Sequence, residues 1–142
     1  TLRNFIIPSD YQSLKSRINK AAKENGIEFQ EFSISEVVDN VSCEVSVKIR
    51  ANVDGVDTLK IARLIDDAGA DYLHVDAMKK GVFDADFNLI RELAEETNLF
   101  IIGNNSVNSR QQAQKMLDSG AKGFSIARAA IKGKLDFDIS DL

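Results

Sequence analysis

Cysteine and histidine are nearly absent, since the 142-residue chain carries one of each. A lone Cys43 excludes an internal disulfide framework, and one histidine with one cysteine leaves too few soft ligands for a structural zinc site. No run of lysine and arginine interleaved with aromatics occurs and the formal net charge is −4, so the basic footprint of an autonomous nucleic-acid binder is missing as well. Long apolar runs are also missing. Those present are short and broken by charge, and the amino terminus, TLRNFIIPSD, has no apolar stretch followed by a small-residue cleavage site. These absences lead to the expectation of a soluble, cytoplasmic protein of a reducing compartment, without membrane or metal in its chemistry. The chain starts at Thr1 rather than methionine, as expected of an excised, processed or incompletely represented segment. What is present, 44% apolar and 28% charged residues, suits one globular domain with an adequate core.

From Cys43 onward, strand and helix patterns alternate with short connections, which predicts βα units and a parallel sheet. CEVSVKIRA (43–51) alternates Val45, Val47 and Ile49 against Ser46, Lys48 and Arg50. VDTLKIARLIDDAGA places Ile61, Ala62, Leu64, Ile65 and Ala68 at helical spacing, with Gly69 as the stop. DYLHVDA reads as a second strand, and DFNLIRELAEETN as a helix with Asp86 as its N-cap. LFIIGNN is a nearly all-apolar third strand, the pattern of a strand covered on both faces. Asn108 or Ser109 caps a third helix that Gly120 ends, and KGFSIARAA is a fourth strand entering a further helix. DDAGADYLHVDA and LDSGAKGFSIARA echo each other, as repeated βα units do. Residues 1–42 form a βαβ-like segment of uncertain attachment: NFIIP as strand, DYQSLKSRINKAAKENG as helix and IEFQEFSI as strand.

Parallel α/β architectures bind ligands at the carboxyl ends of their strands, where the βα turns converge. That rule selects Lys48 and Arg50, His74 and Asp76, Asn104 to Ser106, and Ala127 with Arg128. Each has a plain structural reading: strand charges facing solvent, a satisfied core histidine, asparagines suited to turn angles. Arg128 at a helix start opposes the helix dipole, which calls for negative charge nearby. Together with two helix N-termini, these groups suit a phosphorylated ligand, with N–H groups and Arg128 on the phosphate and Lys48 and Asn104 on a polar ring or sugar. No nucleophile paired with a base is legible, and Cys43 sits at the opposite, amino end of its strand.

At these residues the chain resembles a known family. VSVKIRANVDGVDTLKIARLIDDAGADYLHVDAMKKG followed by LFIIGNNSVNSRQQAQKMLDSGAKGFSIARAA is similar to the second half of the FMN-dependent tRNA-dihydrouridine synthases and, more loosely, to the dihydroorotate dehydrogenase group. Those are TIM barrels, and the likeness over 43–134 spans about four βα units of an eight-unit barrel. The resemblance implies that Lys48 and His74 meet the flavin ring and that Arg50 points toward substrate. It likewise implies that Asn104 is the asparagine of an N-G-D or N-G-G turn, with Ser106 beside it, and that Ala127 and Arg128 hold the FMN phosphate. The departures are specific. Asn105 and Ser106 stand where the family has glycine and an acidic or small residue, Ala127 replaces a phosphate-loop glycine, and Asp76 stands where an arginine is usual. Nothing matches the family's catalytic cysteine, its amino-terminal strands or its helical RNA-binding domain.

The expected architecture is therefore α/β, with parallel βα units of TIM-barrel type. Residues 43–142 would form the carboxyl-terminal half of a barrel and 1–42 an additional βαβ-like segment. The expected function is that of an FMN-binding, dihydrouridine synthase-like oxidoreductase acting on a phosphorylated or flavin ligand, with RNA as a partner by resemblance alone. The alternative is a noncatalytic half-barrel that self-associates or pairs with another chain, since a lone half exposes strand edges and an apolar inner face. A third reading compares LHVDAMKKG with the metal-binding strand of ribulose-phosphate epimerases, a likeness limited to that one strand.

Overall fold

The structure, a computed structural model, describes residues 33–79, 81–82, 84–105, 107–135, 24 and 138, and the backbone of 3–7. Its elements in chain order are β1 (Arg3–Ile7), α1 (Ile34–Asn40), β2 (Val45–Arg50), α2 (Thr58–Asp67) and β3 (Tyr72–Asp76). They continue with α3 (Phe87–Glu96), β4 (Phe100–Asn104), α4 (Arg110–Asp118), β5 (Gly123–Ser125) and α5 (Arg128–Ile131).

The helices begin where short polar side chains satisfy free backbone N–H groups. Ser33 and Glu36 form a capping box on α1, with Glu36 Oε2 accepting from Ser33 N–H at 2.7 Å. Asp57 accepts from Lys60 N–H, Asp86 from Leu89 N–H and Ser109 from Gln112 N–H. At the far ends of α2 and α4 the chain turns through Gly69 (φ +83°) and Gly120 (φ +97°), angles that glycine adopts without a Cβ penalty. The capping box also corrects one expectation. Ile34 does not close a strand but opens α1, because Ser33 and Glu36 stabilise a helix start at that point. Residues 27–32 of that expected strand, and the helix expected over 10–26 apart from the helical Glu24, lie outside the described residues.

All five strands are parallel and lie in the order β1-β2-β3-β4-β5. β1 runs beside β2, with Arg3 opposite Val45 and Ile7 opposite Ile49. A doubly wound sheet reverses its strand order at a switch point, whereas this sheet never does. Right-handed crossovers in one unbroken direction put the described helices on the same face, which is the construction of a (βα) barrel and here gives part of one.

The helix-covered face holds the core. Val45, Val47, Leu73, Val75 and Ile101 point toward Ala62 and Ile65 of α2, Ile90 and Leu93 of α3, and Ala113 and Met116 of α4, and all belong to one buried cluster. The opposite face of β4 differs from the expectation of a doubly covered strand. Phe100 is 42% exposed and Ile102 half-buried, because the described helices all lie on the other side of the sheet. Phe100 instead packs against Tyr72, with ring centroids 5.0 Å apart. Among the described residues, no helix is long and apolar enough to cross a membrane.

One close approach fixes α4 against β4. A Cβ placed on Gly103 would overlap Met116 Sδ and stand 2.8 Å from its Cγ. Gly103→Ala is therefore expected to cost about 1–3 kcal/mol through overpacking. Urea denaturation would show a lower midpoint, partly restored when Met116→Val removes the facing sulfur; a midpoint equal to that of the parent would contradict this packing.

Candidate functional site

Strand register sets the site. Because side chains alternate across a strand, burial of Val45, Val47 and Ile49 turns Ser46, Lys48 and Arg50 to the other face. The same parity turns Tyr72, His74 and Asp76 inward on β3, and Ile102 and Asn104 on β4. Lys48 is paired with His74, and His74 with Ile102, in one row across the sheet. One step nearer the carboxyl ends, Arg50 is paired with Asp76, Asp76 with Asn104, and Asn104 with Ser125.

The outer row lines a cleft of about 330 Å³. Arg50, Asp76, Asn104 and Ser125 come from the strands, and Ala127 and Arg128 follow β5. The turn after β4 closes another side with Asn105, Val107 and Asn108, and Met78 contributes from beyond β3. Asn105 is buried and holds φ at +91°, a region that favours glycine and that asparagine tolerates better than most residues. Its N–H donates to Asn104 Oδ1 at 2.6 Å, and its own Oδ1 accepts from Arg128 Nη2 at 3.2 Å. The turn thereby anchors one edge of the guanidinium while the rest of that fork remains available to a ligand. Ala127 has φ −121°, which any L-residue adopts, so the backbone there makes no demand for glycine.

The inner row is chemically distinct. His74 Nε2 and Ser125 Oγ are hydrogen-bonded at 2.9 Å across the intervening strand. Burial pushes the His74 pKa below its ordinary 6.5, and the nearby Lys48 ammonium pushes it the same way, while Asp76 opposes them. The imidazole is therefore neutral near pH 7, with one ring nitrogen able to donate and the other to accept.

Of the residues selected from the sequence, Arg50, Asp76, Asn104, Asn105, Ala127 and Arg128 share the cleft. Lys48 and His74 lie one row deeper and do not line it. Ser106 lies outside the described residues. Cys43 is half-buried ahead of β2, at the opposite end of the strand from the cleft. Sequence reasoning passed over Ser125 and the latch from Asn105 to Arg128. The parity of GFSIAR places Ser125 two residues before Ala127 and could have flagged the serine; the latch depends on a turn geometry that no spacing reveals. Among the described residues, no three histidine, cysteine, aspartate or glutamate side chains are grouped to hold a metal ion.

An unreversed parallel sheet with helices on one face and a polar cleft at its strand carboxyl ends defines a partial (βα) barrel. The sequence model of the family described as dihydrouridine synthase (Dus) matches residues 29–133. The chain belongs to the dihydrouridine synthase family. It is 36% identical over 99 residues to the uncharacterized protein MJ0144 of Methanocaldococcus jannaschii, an alignment covering 66% of this chain and 36% of that protein. The chain thus spans about a third of the length of that relative. Two solved structures share the fold at low identity. A chain of the Amycolatopsis orientalis BexX/CysO complex superposes with a TM-score of 0.55 at 18% identity, over 89% of this chain and 58% of that one. The FabK M276A mutant of Thermotoga maritima superposes at 0.54 and 16%, over 97% of this chain and 38% of that one.

The depressed His74 pKa has a consequence for stability. An unfolded imidazole takes its proton first as pH falls, so the contribution of neutral His74 is full above pH 6.5 and is lost as pH drops through the lower, folded value. Titration of the His74 ring by NMR should show a midpoint below 6.5. Lys48→Met should raise that midpoint and Asp76→Asn should lower it further; the opposite order would contradict the electrostatics described.

Proposed function

We propose that the rim binds FMN and that the chain serves flavin-dependent, dihydrouridine synthase-type redox chemistry. The observation that carries this reading is the arginine latch: Asn105 holds Arg128 at the mouth of a cleft that also contains Arg50. Guanidinium forks match phosphate oxygens in geometry and charge. The donor set fits the ligand, because phosphate is met by Arg128 while Lys48, His74 and Asn104 offer donors to a polar ring. Ala127 adds a methyl where the family uses glycine, but its φ is negative and its side chain is exposed. Ser106 is assigned to the same site on the resemblance alone.

FMN supplies the hydride chemistry when bound, and the protein supplies binding, orientation and electrostatics. Lys48 places positive charge where electron density accumulates on a reduced ring. Neutral His74, oriented by Ser125, donates or accepts one hydrogen bond without adding charge. Arg50, exposed at the carboxyl end of β2, is assigned to a substrate such as the RNA named by the family's activity. Cys43 takes no part, because it lies at the wrong end of the sheet. A single free cysteine is in keeping with a reducing, cytoplasmic setting.

A second reading rests on Phe100, 42% exposed on the face that none of the described helices covers. This face and the sheet edges would pair with another copy or another chain in a noncatalytic scaffold. Light scattering separates the two, since a scaffold of this kind gives a dimer or higher species without flavin.

Absorption spectroscopy is the direct test. The purified protein is expected to be yellow or to acquire the oxidised-flavin spectrum on addition of FMN, and a colourless protein that takes up none would refute the proposal. Arg128→Ala should weaken FMN binding by about ten- to a hundredfold, the loss of a charged hydrogen bond worth ~1.5–3 kcal/mol. The same change also removes the bond to Asn105 Oδ1, so folding stability should fall by about 0.5–1.5 kcal/mol, less than the loss in FMN binding.

A further inference from the structure

Asp76 is the residue at which this rim departs most in charge from the pattern the chain otherwise follows, and the structure leaves it unfinished. Its Oδ1 is buried without a hydrogen-bond partner among the described residues. The strand around it is held firmly: Asp76 C=O accepts from Ala51 N–H at 2.9 Å, and Ala77 N–H donates to Asn104 C=O at 3.1 Å. The carboxylate is thus presented to the cleft between Arg50 and Asn104, its partners in register. Arg128 is latched to Asn105, so no guanidinium satisfies the buried oxygen. A buried polar atom without a partner is costly, and a ligand that donates a hydrogen bond there removes the cost.

The surroundings restrict what that donor is. A cationic donor would enter beside two arginines of the same cleft and be repelled by both. A neutral hydroxyl satisfies Asp76 without adding charge, and a phosphate on the same molecule satisfies Arg128. Carboxylates accept from sugar hydroxyls in the same manner in dinucleotide sites. Lys48 and His74, two of the ring-facing donors, sit one row deeper, which leaves Asp76 on the outer row nearer a phosphate held by Arg128.

We infer that Asp76 is the acceptor for a sugar or polyol hydroxyl of the ligand, so that the cleft selects sugar phosphates over phosphate alone. The inference rests on the proposed phosphate site at this rim, and it extends to the ribityl chain of FMN and to the ribose phosphate of a nucleotide alike.

The test uses calorimetric titration with inorganic phosphate and ribose 5-phosphate, and separately with FMN. The parent chain should bind ribose 5-phosphate at least about tenfold more tightly than inorganic phosphate, one charged hydrogen bond's worth. Asp76→Ala should abolish that preference while leaving inorganic phosphate bound equally or more tightly. Asp76→Asn, isosteric and with an acceptor oxygen retained, should keep part of the preference and guards against a folding defect in the alanine variant. A parent with no preference, a preference that survives Asp76→Ala, or equal losses for both probes would each overturn the inference. The FMN titration discriminates between the two ideas. A protein that refuses FMN yet shows the Asp76-dependent preference loses the flavin reading and keeps this one, and one that binds FMN equally well with Asp76→Ala loses this one alone.

Discussion

A slip of one residue in the pairing of β2, β3 or β4 would turn Val45, Val47, Leu73 and Val75 out of the core and drive Lys48, His74 and Asp76 into it. Everything else at the site depends on that register. The buried valines, leucines and isoleucines pin it from the helix side, and Gly103 pins it further by admitting Met116 against the β4 backbone. The polar rows on the other face are a consequence of core packing, positioned by residues on the opposite side of the sheet. The precision of the rim is therefore inherited from the helix-covered face.

Charge on the rim is arranged in two layers. Near the strand ends two arginines flank a carboxylate and an amide; one row deeper a lysine sits beside a neutral histidine. Lys48 helps keep His74 uncharged, and Ser125 joins the layers by bonding the histidine from β5. Positive potential is thereby concentrated at the mouth, where steering of an anionic ligand is most effective, although the chain as a whole is acidic. Asp76 is the local exception, a carboxylate with one buried, unpartnered oxygen set in a row that otherwise offers donors.

Much of this was legible beforehand, because the signals are local. Alternation in CEVSVKIRA separated the core face of β2 from its polar face, and Asp86 and Ser109 marked helix starts through hydrogen bonds spanning three residues. IEFQEFSI misled at its end, since apolar residues at mixed spacing fit strand and helix alike until Ser33 and Glu36 are recognised as a reciprocal cap. LFIIGNN misled differently. An all-apolar strand suggests cover on both faces, yet the described helices cover one face and Phe100 rests partly on Tyr72. Asn105 stands where the resembled family has glycine, and its positive φ and its bond to Arg128 keep the turn's shape and add a latch.

The amino-acid sequence by itself determined the βα rhythm, the parity of each strand and the membership of Lys48, Arg50, Asn104 and Arg128 in one end of the sheet, because periodicity and capping act over a few residues. Only the tertiary structure decided that Arg50, Asp76, Asn104 and Ser125 stand in one row and that Lys48 and His74 lie below it. It alone left one Asp76 oxygen unpaired and let Asn105 take hold of Arg128. Those relations join residues up to 75 positions apart, from Arg50 to Ser125, and interstrand register, which is set by the packing of helices against the opposite face, is what brings them together.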